Sequence, residues 1–268
     1  MTPKLLSRSW NVTSVIRNPD QKADILEAGK NGPGRIDVLV ESLEDVKSDE
    51  QAKAILEKTK AEWVIWSAGT FQFLVYKRMV ANDNWYIGAG GKGGPSRTNA
   101  IDRDACIHFI RAALSSSTIT KFLIVSALSS RRDRAAWWDD ESWAMARKIN
   151  EEMPTYYKAK LAADETLTTL GEQKKDFGYI VLRPGGLTDD KEVGKISFGK
   201  TKARGMVTRG DVAEVAVKLL EKESVRGWFD LLGGEEETDA AVERVLREGI
   251  NSMEGEDLEA MKKDVAPL

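Results

Sequence analysis

The amino-acid sequence predicts an α/β fold with a doubly wound, mostly parallel sheet. Short apolar runs alternate with longer amphipathic segments, an order typical of strands and helices in such folds. The runs lack polar alternation, as in Tyr179-Ile180-Val181-Leu182, which indicates strands buried on both faces. The chain has 268 residues, of which 41% are apolar, enough for one large core. The length fits one large domain or two small ones, and of these we expect a single domain over residues 1–268.

The individual elements follow from local patterns. Strands are predicted over 11–16, 36–40, 63–66, 122–125, 179–182 and 228–232. Helices are predicted over 18–29, 49–58, 99–114, 154–170 and 208–221, with a last one from about residue 239. Pro154 suits the first turn of its helix, and Thr208 to Asp211 have the form of a capping box.

Composition excludes several classes of function. The net charge of −3 gives no overall basic field for nucleic acid. A single cysteine, Cys106, predicts a reducing compartment, and one cysteine with one histidine, His108, cannot form a zinc-type cluster. No apolar run reaches the length of a membrane span, and the first residues lack the pattern of a signal peptide. We expect a soluble, cytoplasmic protein with no membrane partner and no metal, either a monomer or a weak homodimer.

Tyr156 and Lys160 are the first candidate catalytic pair. They are four residues apart on a predicted helix and so share one face. An ammonium beside a phenol favours the phenolate and lowers the pKa of the tyrosine from about 10. Such a tyrosine can exchange a proton with a carbonyl group. The alternative is a partly buried tyrosine beside a solvated lysine, and the adjacent Tyr157 competes for the same role.

Polar residues at strand ends extend this site. Ser126 ends the fourth predicted strand, and ligands of parallel α/β sheets bind at the carboxyl ends of strands. Arg17 ends the first strand, where an arginine suits the 2′-phosphate of a dinucleotide, although a solvated turn residue is an equal alternative. Pro184, Gly185 and Gly186 form a stiff turn with open backbone after the fifth strand, suited to a ligand or simply a loop.

Several segments together resemble a known family. They are "VTSVIRNPDQ", "WSAG", "GAGGKGGPSRTNAIDRDACIHFI", "KFLIVSAL", "YYKAKLAADE", "YIVLRPGGLTDD", "TRGDVAEVAVKLLE" and "FDLLGG", in this order from about Asn11 to Ala241. They resemble the atypical short-chain dehydrogenases/reductases with an NAD(P)-binding Rossmann fold. Within that family the chain is most similar to the single-domain subgroup called NmrA-like or NAD(P)-dependent epimerase/dehydratase-like.

The resemblance implies a site and a cofactor. Its catalytic positions fall on Ser126, Tyr156, Lys160 and Asp102. Classical members of the family place a catalytic asparagine at the position of Asp102, and the subgroup is similar to this chain in carrying an aspartate there. Its cofactor positions fall on Arg17, Ser67, Ala68, Gly69, Ser126, Lys160, Pro184, Gly185, Gly186 and Leu187. It implies NADP rather than NAD and an oxidoreductase or epimerase acting on a small carbonyl or hydroxyl substrate. A non-catalytic NADP-sensing regulator and a truncated product with impaired cofactor binding are the alternatives.

The chain departs from the family pattern at its amino end. Family members begin with a strand and a glycine-rich turn that binds the pyrophosphate, whereas Met1 to Trp10 resemble the end of the helix that follows this turn. We expect the first strand to be absent. The strands over 11–17 and 61–67 are then expected to close up, to leave a gap, or to receive 71–76 as a substitute.

A second departure is an insertion at about 70–88. Without it, the sequence reads as one continuous glycine-rich loop, "WSAG-AGGKGGP". The inserted residues are compatible with an intron retained in frame, and a lid loop specific to this lineage is the alternative.

Overall fold

A computed structural model describes residues 1–30, 32–67 and 94–268, together with the backbone of two short strands in between. The helices are α1 (Thr2–Ser7), α2 (Lys22–Ala28), α3 (Asp49–Thr59), α4 (Gly94–Thr98), α5 (Cys106–Ser115), α6 (Asp140–Glu152), α7 (Pro154–Gly171), α8 (Arg209–Glu221), α9 (Thr238–Arg247) and α10 (Leu258–Asp264). A π-helical turn, Asn99–Ala105, joins α4 to α5. Each predicted helix is present, and α6 in the tryptophan-rich stretch was not predicted.

The strands are β1 (Val12–Ile16), β2 (Ile36–Val40), β3 (Trp63–Trp66), β4 (Phe73–Tyr76), β5 (Tyr86–Ala89), β6 (Lys121–Val125), β7 (Gly178–Pro184), β8 (Gly186–Thr188), β9 (Lys195–Gly199), β10 (Met206–Thr208), β11 (Arg226–Gly233) and β12 (Glu236–Glu237). The main sheet has six strands in the order β12-β9-β11-β7-β6-β3. Its central strands are parallel, and β9 runs antiparallel to β11 and β12. The predicted α/β class with a mostly parallel sheet is confirmed.

The sheet is interrupted where the sequence predicts a missing strand. β3 lies at one edge of the six-stranded sheet, whereas β1 and β2 form a separate, parallel two-stranded sheet. Of the three expected outcomes, the described residues show the gap between β1 and β3. Side chains span it, because the Trp10 and Trp63 rings meet edge to face with centroids 4.9 Å apart. Aromatic packing thus replaces backbone pairing between the two sheets.

Residues at the amino end form a short helix. α1 buries Leu5 and Leu6. Its polar face is bound to α8, since Lys4 and Arg8 donate to the Glu214 carboxylate at 2.8 and 2.9 Å. Among the described residues, no strand precedes β1.

Apolar clusters cover both faces of the main sheet. β7 shows why, because its residues are buried throughout and alternate between the two sides. Tyr179 and Val181 join the cluster with α3, α5 and α7, whereas Ile180 and Leu182 join the cluster with α8 and α9. This two-sided burial explains the uninterrupted apolar runs in the sequence.

Buried ion pairs hold the carboxyl-terminal segment beside the sheet. Arg131 Nη2 lies 2.8 Å from Glu256 Oε1, and each of the two side chains is only 1% exposed. The same arginine donates to the carbonyl oxygens of Ser252 and Glu254. Arg183 and Asp230 form a second, fully buried pair on neighbouring strands. The sequence patterns did not predict this cluster, because its partners are far apart along the chain.

The stretch around Trp137 and Trp138 packs inward. Both Trp137 and Trp138 donate their indole N–H to the carbonyl oxygen of Thr201, at 3.0 and 2.9 Å. Trp138 is almost fully buried with Leu128 and Leu232.

The predicted insertion at 70–88 lies outside the described residues, apart from the backbone of β4 and most of β5. These two strands pair with each other in antiparallel register. β4 therefore does not take the place between β1 and β3.

The gap predicts uneven local stability. We expect backbone amides of β1 and β2 to exchange hydrogen faster than those of β6 and β7, which lie in the middle of the six-stranded sheet between two apolar layers. Hydrogen exchange followed by mass spectrometry measures this difference, with α3 as an internal reference. Equal protection of β1 and β7 would contradict it.

Candidate active site

Helix α7 places three ionisable side chains on one face. Tyr156, Lys160 and Asp164 recur at intervals of four residues, so they lie one above the other along the helix. Their exposed fractions are 8%, 3% and 0%. Pro154 starts the helix, as its missing N–H favours. The helical spacing therefore places three polar side chains in the interior of the protein, near the carboxyl end of β6.

Lys160 joins this helix to two other elements. Its Nζ lies 3.0 Å from Asp102 Oδ1 on the π-helical turn and donates to the carbonyl oxygen of Val125, the last residue of β6. Burial by itself would lower the pKa of Lys160, but Tyr156 and Asp102 outweigh it and raise this pKa above its ordinary value. Lys160 is thus an ammonium ion at neutral pH. π-helical turns occur frequently at functional sites.

Tyr156 does not have the lowered pKa expected from the sequence. Burial raises the pKa of its phenol to about 12, although Lys160, with Nζ 5.7 Å from the ring centroid, acts to lower it. The charges of Asp102 and Asp164 also raise the pKa of Tyr156. Tyr156 is therefore a neutral phenol at pH 7, a state suited to giving a proton.

The neighbouring Tyr157 points elsewhere. It is half-buried, and its hydroxyl donates to the carbonyl oxygen of Arg131 at 3.3 Å. The structure thus separates the two tyrosines, and Tyr156 is the one that shares a face with Lys160.

Ser126 meets the same face of α7. Its Oγ donates to Asp164 Oδ2 at 2.5 Å, and both residues are buried. Ser126, Lys160, Tyr156 and Asp102, all predicted as catalytic residues, are therefore brought together by β6, the π-helical turn and α7. Asp164 was missed in the sequence. Its position four residues after Lys160 was the available signal.

Asp164 has an unusual ionisation for an aspartate. Burial raises its pKa to about 7, against the lowering effects of the Ser126 hydrogen bond and of the Arg183 and Lys160 charges. The charge of Glu165 also raises the pKa of Asp164. Asp164 thus titrates in the neutral range, where ordinary aspartates are fully ionised.

Arg17 lies at the end of β1, as predicted, but its charge is already paired. Its Nη1 donates to Glu44 Oε1 at 2.6 Å, and Arg97 Nε donates to the same oxygen at 2.5 Å. Arg17 remains 53% exposed, so a ligand can reach it. An anion that binds Arg17 has to compete with the Glu44 carboxylate.

The predicted pyrophosphate loop is described only at its start. Ser67 follows β3 and is exposed, whereas Ala68 and Gly69 lie outside the described residues.

The loop after β7 packs against protein. The Gly185 N–H donates to the carbonyl oxygen of Leu231, and the Gly186 N–H to that of Gly205. A Cβ at Gly185 would lie 2.6 Å from the Gly205 oxygen. Glycine is therefore required here by the approach of another loop. Pro184 is buried, and Gly186 and Leu187 are partly exposed at the start and middle of β8.

One cavity lies at the other end of the sheet. It has a volume of about 550 Å³ and is lined by Arg226, Phe229 and Ile250 among others, near the amino end of β11. It therefore does not adjoin the cluster around Tyr156, which lies at the carboxyl end of β6.

Two further observations concern metals and membranes. The described part of the chain contains no group of three or more histidine, cysteine or acidic side chains arranged to hold a metal ion. None of its helices combines the length and the apolar character needed to cross a membrane.

The chain matches a protein-family model described as NAD(P)H-binding, over residues 1–223. It belongs to this NAD(P)H-binding family. Because the match begins at residue 1, it gives no support to the view that the family's amino-terminal part is missing.

Two curated relatives align with about half of the chain. A UPF0659 protein of Schizosaccharomyces pombe is 32% identical over 151 residues, and an uncharacterized sugar epimerase, YhfK, of Bacillus subtilis is 34% identical over 149 residues. Each alignment covers 55% of this chain and spans 60% and 61%, respectively, of the relatives' own lengths.

A solved structure of similar fold covers more of the chain. A protein from Bacillus halodurans, provisionally named an NAD-dependent epimerase/dehydratase, superposes on this chain with a TM-score of 0.66 at 21% sequence identity. The superposition covers 91% of this chain and 92% of that chain. At this identity the likeness shows the α/β fold.

The described residues fit a nicotinamide cofactor at one end of the site. Ser126, Tyr156 and Lys160 present a hydroxyl, a neutral phenol and an ammonium together at the carboxyl edge of the sheet. For the phosphates, the described residues offer Arg17 but no glycine-rich turn between a strand and a helix ahead of β1. The described residues thus offer polar groups for the reacting half of the cofactor, although the Ser126 hydroxyl already donates to Asp164, and they offer Arg17 for the adenosine half.

The raised pKa of Asp164 predicts how stability depends on pH. Between pH 4 and 7 the folded protein retains a proton on Asp164 that the unfolded chain has lost, so the free energy of unfolding falls as pH rises through this range. Each unit of pKa difference corresponds to about 1.4 kcal/mol. We expect the Asp164→Asn variant to lose this part of the pH dependence in urea denaturation.

Asp257→Asn is the matched control, because Asp257 caps the exposed amino end of α10. The same slope between pH 4 and 7 in wild type and Asp164→Asn would show that Asp164 titrates normally.

Proposed function

We propose that this chain is an NADP-dependent oxidoreductase, or an epimerase of related chemistry, that acts on a small carbonyl or hydroxyl substrate. The observation that carries the proposal is the buried cluster of Tyr156, Lys160 and Ser126 at the carboxyl edge of the sheet. Membership of the NAD(P)H-binding family supports a nicotinamide cofactor. The subgroup we propose is the NmrA-like or epimerase/dehydratase-like one, as a single cytoplasmic domain.

Each residue of the cluster has a distinct task in this proposal. A bound nicotinamide cofactor supplies or accepts the hydride. Tyr156, neutral at pH 7, gives its phenolic proton to the substrate oxygen. Lys160 stabilises the phenolate that is left, and Asp102 keeps the lysine in place from the π-helical turn. Ser126 orients the substrate oxygen.

NADP is preferred over NAD in this proposal because of Arg17. A guanidinium at the end of β1 suits the 2′-phosphate, and its exposure leaves it accessible. Glu44 weakens this preference, since it already neutralises part of the charge.

A second candidate is a regulator that binds NADP without turnover. The high pKa and near-complete burial of Tyr156 favour it, because the reacting group has little access to a substrate. We propose a monomer or weak homodimer without nucleic-acid or membrane partners in either case.

The catalytic role of Tyr156 is tested by replacing its hydroxyl. We expect Tyr156→Phe to lower kcat for NADPH-dependent reduction of phenanthrenequinone by about 10²–10⁴-fold, the contribution of a positioned acid. Tyr157→Phe is the control, because its hydroxyl contacts Arg131 instead. The assay follows NADPH oxidation, and tryptophan fluorescence measures NADPH binding separately.

The two candidates predict different results. NADPH binding without turnover by the wild type favours the regulator. Turnover that both variants reduce equally would contradict the role of Tyr156.

Cofactor preference is tested at the Arg17–Glu44 pair. Arg17→Ala should weaken NADPH binding by about 1–3 kcal/mol, the range for a charge-assisted hydrogen bond, and leave NADH nearly unchanged. Glu44→Gln should do the opposite for NADPH, because it removes the competing carboxylate. Calorimetric titration gives both affinities. Equal losses for the two cofactors in Arg17→Ala would mean that Arg17 does not recognise the 2′-phosphate.

A further inference from the structure

The hydroxyl hydrogen of Ser126 is already engaged within the protein. Ser126 has one hydroxyl hydrogen, and it is donated to Asp164 Oδ2. A serine in this state offers only lone pairs to a bound molecule. A substrate carbonyl oxygen is also an acceptor, so it gains nothing from such a serine. The orienting task proposed for Ser126 therefore requires this hydrogen to be released.

Asp164 has the burial and the contacts needed to release it. The residue is fully buried, and its Oδ1 has no hydrogen-bond partner among the described residues. A buried carboxylate with an unpaired oxygen is unfavourable, whereas the acid form carries no charge and gains a donor. In the acid form Asp164 is able to donate to Ser126 Oγ, which reverses the hydrogen bond without moving either side chain.

Charged groups face Asp164 from every element packed against it. Arg183 acts from β7, and Lys160 and Glu165 act from α7 itself. Tyr156 and Cys106 lie within electrostatic reach of both Asp164 and Asp102. The charges of Arg183 and Lys160 favour the carboxylate form of Asp164. Burial and the charge of Glu165 favour its acid form. Asp164 is therefore balanced between its two forms.

Building on the proposed carbonyl chemistry, we propose that Asp164 is a positioning residue that sets the direction of the Ser126 hydrogen bond. As a carboxylic acid, Asp164 donates to Ser126, and the Ser126 hydrogen points to the substrate carbonyl. As a carboxylate, it accepts that hydrogen, and Ser126 no longer stabilises the negative charge that develops on the carbonyl oxygen. The acid form of Asp164 is thus the one that supports catalysis. Above neutral pH this form is lost, and Ser126 no longer donates to the substrate carbonyl.

Infrared spectroscopy tests the switch without catalysis. The difference between wild type and Asp164→Asn, recorded over a pH series, isolates the carboxylic C=O stretch of Asp164. We expect this band to disappear with a midpoint near neutral pH. Ser126→Ala should move the midpoint upward, because the hydroxyl no longer stabilises the carboxylate. Ser129→Ala, in the same loop, should leave it unchanged.

A midpoint in the range of ordinary aspartates would overturn the proposal. So would a midpoint that Ser126→Ala does not move.

The pH profile of reduction provides the second test. With NADPH and phenanthrenequinone, we expect kcat/KM of the wild type to fall about tenfold per pH unit above neutrality. Asp164→Asn should give a flat profile over the same range, because the asparagine amide donates permanently to Ser126 as the acid form does. A merely structural Asp164 predicts a lower rate with the same inflection, and that result would overturn the switch.

The outcomes separate this inference from the proposed function. Absence of turnover with every carbonyl probe contradicts the enzyme, while the infrared titration still determines whether Asp164 controls Ser126. Turnover without an Asp164-dependent inflection keeps the enzyme and rejects the switch.

Discussion

Burial of charged groups beneath helix α7 is the constraint on which the candidate site depends. Lys160, Asp102 and Asp164 are almost fully removed from water, and a buried charge is tolerated when it is paired or neutralised. Lys160 meets this condition through Asp102 and the carbonyl oxygen of Val125. Asp164 meets it through a raised pKa, because only one of its oxygens has a partner. The requirement to satisfy these charges fixes α7 against β6 and the π-helical turn.

The same burial sets the chemistry of Tyr156. In a solvated site, a nearby ammonium would lower the pKa of the phenol, as expected from the sequence. Here Asp102 offsets the lysine charge, and burial raises the pKa to about 12. A proton donor at neutral pH results, rather than a ready phenolate. The arrangement suits giving a proton to a substrate oxygen more than removing one.

The cofactor end of the molecule is organised differently. Under the proposed function, the nicotinamide side consists of buried groups around Lys160, whereas the adenosine side relies on the exposed Arg17, which is paired with Glu44. β1, which carries Arg17 at its end, belongs to a sheet separate from the one that carries Ser126. A dinucleotide that contacts both Arg17 and Ser126, as proposed, spans the two sheets, and the Trp10 and Trp63 rings lie in contact between these sheets.

The sequence by itself determined the fold class, the principal strands and helices, and the Tyr156–Lys160 face, because each depends on local periodicity and on residues four apart. It also placed Ser126 and Arg17 at strand ends. Tertiary structure alone decided the partners of these groups: Asp164 for Ser126, Asp102 for Lys160 and Glu44 for Arg17. It also decided the buried Arg131–Glu256 and Arg183–Asp230 pairs, whose members are 125 and 47 residues apart. Ionisation and hydrogen-bond direction depend on burial and on such distant neighbours, which no local pattern encodes.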